Sequence, residues 1–94
     1  MALGLLRVEL LTNGTHSLKE KRRVILSLKE RLRRRFNVSI AETDYQNLWQ
    51  RSELSIACIA ADGRTTKSIL TKIERFIKNQ PDLILIKEEM EEIR

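Results

Sequence analysis

Between Ser17 and Phe36 the apolar residues Leu18, Ile25, Leu28, Leu32 and Phe36 recur at intervals of seven, three, four and four. At about 100° per residue this spacing gathers them into one narrow stripe of a helix, which Val24 widens on one side. Ser17 followed three residues later by Glu20 forms the S-x-x-E pattern of a capping box, so the helix has a defined start. A helix that is apolar on one stripe must lay that stripe against another layer, and the flanking segments supply the strands of such a layer.

Leu3 to Leu11 alternates with the period of a strand, with Leu6, Val8 and Leu10 to one side and Leu5, Arg7, Glu9 and Leu11 to the other. Thr12, Asn13, Gly14, Thr15 and His16 read as a loop. Phe36 to Asp44 reads as a second strand and Tyr45 to Ser52 as a polar loop with two of the four aromatic residues. Glu53 to Ala61 reads as a third strand, with Leu54, Ile56, Cys58 and Ala60 on one face and Ala57, Ile59 and Ala61 on the other. Asp62 and Gly63 end it. Arg64 to Asn79 carries Ile69, Leu70, Ile73, Phe76 and Ile77 on one side of a second helix, which Pro81 and Asp82 stop. Leu83 to Lys87 is a fourth strand, and the acidic residues behind it either extend it or fray. The order β-α-β-β-α-β predicts one α+β domain over residues 1–94 with a ferredoxin-like fold. That fold is a four-stranded antiparallel sheet of order 4-1-3-2 with both helices on one face.

A sheet covered on one face leaves the other open. Ala57, Ile59, Leu5, Leu11 and part of the fourth strand make that face apolar enough to predict a partner, of which a symmetric homodimer is the simplest. A single cysteine, Cys58, excludes an intrachain disulfide and a cysteine-rich metal site. No apolar run reaches the roughly 20 residues of a membrane span, and the basic region of a signal peptide is missing, so a cytoplasmic protein is expected, without membrane contact.

The charge is local. Segment 17–36 holds nine of the eighteen Lys and Arg residues and two acids, hence +7, while the rest of the chain holds nine against eleven, hence −2. Concentrated cationic charge on a small domain points to a polyanion. Lys19, Arg22, Arg23, Lys29, Arg33 and Arg34 spread over roughly 140° of helix surface, able to contact RNA backbone phosphates without reading sequence. Lys19, Lys21, Arg22 and Arg23 crowd the helix start, where the dipole disfavours cations. An anion held by Ser17, Lys19 and Arg22 would relieve that crowding. Lys21 falls within the apolar stripe, so it needs a counter-ion, and the topology offers Glu42 or Asp44. Trp49 with Arg51 beside it could stack on unpaired bases, against the alternative that Trp49 packs back on the domain.

The segments SLKEKRRVI at 17–25, FNVSIAETD at 36–44 and LWQRSELSIACIAAD at 48–62 resemble the YlxP-like family of small bacterial proteins, a family of unknown function. The resemblance implies a ferredoxin-like fold. It also implies a setting near translation initiation and ribosome maturation, since genes of this family commonly lie beside genes for those processes. It supplies no catalytic or binding residues.

No catalytic constellation is present, and no cofactor or metal is expected. His16, the only histidine, has no titratable partner spaced to help it, and Cys58 sits among apolar neighbours. A C-x-x-C pair and a glycine-rich phosphate loop are both missing. Strands one and three lack the aromatics on which RNA-recognition motifs stack bases. The reading is therefore a non-catalytic protein, associated with RNA or the ribosome through its first helix. The alternatives are a protein-interaction or structural homo-oligomeric module and a small-ligand sensor at a dimer seam. The acidic residues Glu88, Glu89, Glu91 and Glu92 would be natural intramolecular competitors for the cationic helix.

Overall fold

The computed structural model describes residues 1–12 and 14–94; Asn13, in the expected first loop, lies outside them. The elements run β1 (Ala2–Thr12), α1 (Leu18–Arg35), β2 (Val38–Asp44), β3 (Arg51–Ala60), α2 (Gly63–Lys78) and β4 (Leu83–Glu92). They form one antiparallel sheet of order β2-β3-β1-β4, the ferredoxin-like order read from the opposite edge. Both helices lie on one face of it.

Alternation decides which face is covered. Leu6, Val8 and Leu10 of β1 and Leu54, Ile56 and Cys58 of β3 point to the helices and are buried, together with Ile40 of β2 and Leu83 of β4. Ile25, Leu28 and Leu32 of α1 and Leu70, Ile73 and Ile77 of α2 close over them. Each such aliphatic side chain contributes about 1.5–3 kcal/mol by leaving water. Gly4 marks a close approach of α2 to the sheet. A Cβ there would meet the Leu70 Cδ1 at 3.0 Å and the Thr66 Cβ at 3.3 Å.

Two features refine the reading of the fourth strand, the first by choosing extension over fraying. The fourth strand does not stop at Lys87: residues 88–92 continue it, paired with β1 from Val8↔Glu88 to Gly4↔Glu92. The acidic residues are therefore fixed in the edge strand farthest from β2 and are not a loose tail that could fold over α1. The register also slips between Glu9 and Leu10, whose partners are Lys87 and Leu85, so Ile86 is the extra residue of a bulge.

The open face is also less apolar than expected. Its centre is ionic: the Arg7 guanidinium meets Glu53 at 3.2 Å and Glu89 at 3.4 Å, and Arg51 meets Glu9 at 2.6 Å. Apolar side chains on this face stand at its two ends, Leu3, Leu5, Ala57 and Ile59 at one and Leu11 with exposed Ile84 at the other. No helix among the described residues is long and apolar enough to cross a membrane.

Candidate nucleic-acid interface

The start of α1 is built as its sequence requires. Ser17 is the N-cap, and its hydroxyl accepts the Glu20 N–H at 3.1 Å. The reciprocal bond goes one residue further back than in a simple capping box, from the His16 N–H to the Glu20 carboxylate at 2.6 Å. The chain's own carboxylate thus sits at the positive end of the helix dipole. Ser17, expected with Lys19 and Arg22 to hold an anion, accepts the cap bond through its oxygen, and among the described residues its O–H has no acceptor. Lys19 and Arg22 stay exposed.

Lys21 points the other way. It is fully buried, and its ammonium donates to Glu42 Oε2 at 2.6 Å and to the Tyr45 carbonyl at 2.9 Å. The same Glu42 oxygen accepts from the Ser52 hydroxyl at 2.6 Å. Tyr45, at φ 60°, adopts a left-handed conformation unusual for a side chain of its size at the point where its carbonyl serves Lys21. This pair ties the first turn of α1 to the end of β2 and to the loop behind it.

The remaining cations of α1 are disposed differently. Lys19, Arg22, Arg23, Arg33 and Arg34 are exposed and Lys29 is half-buried. Among the described residues none of these six comes within ion-pair distance of an acid. Arg33 alone makes a side-chain contact with another element, donating to the Ile40 carbonyl of edge strand β2 at 3.1 Å. That contact places Arg33, with Arg22 and Lys29 on the same shoulder, along the β2 edge. Arg31 and Arg35 turn to the opposite shoulder, where both lie over the Phe76 ring of α2, at 5.9 and 4.7 Å.

The second helix adds to this face in a way not read from the sequence. Arg64, Lys67, Lys72 and Arg75 of α2 are exposed and, among the described residues, have no acidic partner. Only Lys78 is paired, with Glu74 at 2.9 Å and Glu88 at 3.6 Å. Fourteen of the eighteen Lys and Arg residues lie in the two helices beside three acids, a layer of +11; the sheet and loops hold four against ten, −6. The signal was available in sequence as five cations in α2, but its meaning depends on both helices sharing one face.

The loop aromatics separate. Trp49 lies on the helix-covered side, 39% exposed, with its ring 6.5 Å from that of His16. Arg51 lies on the open face, its guanidinium 4.3 Å from the Tyr45 ring and bonded to Glu9, whose hydrogen bond raises the Arg51 pKa further. Trp49 is therefore brought to the start of α1, and Arg51 is not. Burial pushes the Cys58 thiol up, away from a reactive thiolate. No group of three or more His, Cys, Asp or Glu among the described residues is arranged to hold a metal ion.

The fold is ferredoxin-like, and it meets a designed counterpart: the de novo designed protein Ferredog-Diesel aligns with 95% of this chain and 83% of its own, at a TM-score of 0.50 and 13% identity. The chain belongs to the family described as "Protein of unknown function (DUF503)", whose model matches residues 3–90. It is 35% identical over 81 residues to the uncharacterized protein YlxP of Bacillus subtilis (strain 168), covering 86% of this chain and 88% of that protein.

Proposed function

We propose that this protein is a non-catalytic cytoplasmic binding protein, associated with RNA or the ribosome, that grips backbone phosphates with the outer face of its helical layer. One observation carries the reading: among the described residues, Lys19, Arg22, Arg23, Lys29, Arg33 and Arg34 have no carboxylate of their own chain to neutralise them. Unpaired like charge on one face costs self-repulsion, and an external polyanion relieves it. Arg64, Lys67, Lys72 and Arg75 widen the same face. Arg51 is left out, because Glu9 and Tyr45 already engage it. The double reversal Arg22→Glu with Arg33→Glu should abolish retention on RNA at low salt while leaving the circular dichroism spectrum unchanged. Retention equal to wild type would remove α1 from the interface. Retention on an acidic protein that RNA cannot displace would favour a protein-docking module instead.

A homodimer through the open sheet face belongs to the same proposal. The apolar end at Leu3, Leu5, Ala57 and Ile59 favours it, with Ile59 55% exposed. The ionic centre around Arg7 limits it, because a two-fold axis there would bring Glu53 and Glu89 towards their own copies. Ile59→Lys should yield a monomer in sedimentation velocity if a second copy seats at the apolar end; an unchanged sedimentation coefficient would count against it.

A further inference from the structure

We infer that Trp49 is a stacking platform for one unpaired base, so that the strand this protein takes is single-stranded RNA and not duplex. The inference rests on the RNA reading of the helical layer and adds the class of strand.

Three observations converge on it. Trp49 is 39% exposed, and Leu48 beside it is 49% exposed, in a chain with one tryptophan and four aromatics in all. A tryptophan with more than a third of its surface in water keeps a flat apolar patch that a base can cover. The backbone that carries it is nevertheless held firmly. The Trp49 carbonyl accepts from the Thr12 hydroxyl at 2.9 Å and from the Thr15 hydroxyl at 2.6 Å, and both threonines are buried. The Thr12 N–H donates to the Gln50 carbonyl at 3.0 Å, and the Leu48 N–H to the Tyr45 carbonyl at 3.0 Å. Two buried threonine hydroxyls need acceptors, and both reach the carbonyl of Trp49. This knot fixes the backbone from which the ring projects, which lowers the loop-ordering cost when a flat ligand stacks on it.

The third observation is placement. The Trp49 ring is 6.5 Å from the His16 ring at an interplanar angle of 45°. His16 directly precedes the cap residue of α1, and its N–H is bonded by Glu20 of the first turn. The aromatic pair therefore stands at the head of the cationic row, with Lys19 and Arg22 next along the helix and Lys29 and Arg33 beyond, at about 1.5 Å of rise per residue. At this junction the Glu20 carboxylate is occupied by the cap and the Glu42 carboxylate by Lys21 and Ser52. A strand whose terminal base lies on Trp49 can run its phosphates along that row. A duplex keeps its bases stacked internally and offers the indole nothing but backbone.

Trp49 is the chain's only tryptophan, so its emission reports on the site without labelling. The probes are a short single-stranded oligoadenylate and a blunt RNA duplex, each titrated at low salt. The oligoadenylate should change the Trp49 emission and the duplex should leave it near its starting value. Trp49→Ala should weaken oligoadenylate binding roughly 5- to 150-fold, with duplex binding little altered, and Trp49→Phe should restore most of the loss. Suppose wild type binds the oligoadenylate and loses it on Arg22→Glu with Arg33→Glu, while Trp49 emission and the Trp49→Ala affinity stay unchanged. The platform is then wrong and the phosphate-gripping helix stands. If wild type binds neither probe, both readings fall together.

Discussion

On the open face of the sheet each of the three basic side chains borne by a strand has an acid beside it: Arg7 with Glu53 and Glu89, Arg51 with Glu9, Lys87 with Glu89. On the helical face, among the described residues, only Lys21 and Lys78 of fourteen cations do. Both faces belong to one small domain in one solvent, so solubility alone does not explain the contrast. A surface that needs charge only to stay in solution mixes its signs, as the strands do. A surface that keeps one sign and leaves it unneutralised bears a repulsion that makes sense when an outside anion completes it. The comparison also shows what counting charge along a sequence misses. The excess in α1 is visible residue by residue, whereas the +11 layer exists only because the topology sets α2 beside α1.

The contrast can be broken where a single residue departs from its face. Lys21 is a buried, paired cation in a layer of exposed, unpaired ones. Glu42→Ala leaves that ammonium buried with only a carbonyl, and should cost about 3–5 kcal/mol in denaturant unfolding. A loss comparable with that of an exposed arginine would mean that Lys21 escapes to water, and that α1 is not anchored there. Next in size is the start of the same helix. Ser17→Ala removes the acceptor of the Glu20 N–H and should cost about 1 kcal/mol, read from the same unfolding curves. Smaller again, Arg7→Ala on the open face should cost within about 1 kcal/mol, because the guanidinium is well exposed and solvent already screens it. A larger loss would show the ionic centre to be structural and would strengthen the contrast between faces.

The smallest effect is one of sign, where helix meets edge strand. Burial and then Glu74 hold the Glu88 carboxyl above its usual range, against the opposing pull of Lys78. A folded pKa above the unfolded one adds stability that is fully present below the unfolded value and lost as pH rises through the folded one. Glu88→Gln should therefore raise the melting temperature slightly at neutral pH, and the gain should vanish in acid. Asp62 has the opposite sign: the Thr65 N–H it caps holds its carboxyl below the usual range. Its contribution is present above the unfolded pKa and lost as pH falls through the folded one, so Asp62→Asn should flatten the acid limb of the profile.

Much of this was legible in the chain. The period-two run of Leu6, Val8 and Leu10 and the helical stripe of Ile25, Leu28 and Leu32 name the core directly, because burial repeats at the period of the backbone. The Lys21 pair was legible too, since β-α-β-β order sets the end of β2 beside the start of α1. Partners across strands were not. Arg7 meets Glu89 only in a register that the bulge at Ile86 shifts, and no local pattern in residues 83–92 marks that bulge. The acidic run could not be assigned to strand or tail, because glutamates at an exposed edge satisfy either. Trp49 was legible as an aromatic in a loop, but its side of the sheet depends on two threonines, one before and one after the first turn, that reach its carbonyl. Arg51 begins β3 and takes the open face by its alternation, which does not reach back to Trp49.

The central claim is that the cations of the leading helix are free for phosphate, and the salt dependence of binding tests it most directly. With all six engaged on single-stranded RNA, the logarithm of affinity should fall against the logarithm of salt concentration with a slope of about −4. Reversing Arg22 and Arg33 should flatten that slope. A slope near zero in the wild-type protein, or one that the reversal leaves unchanged, would contradict the account.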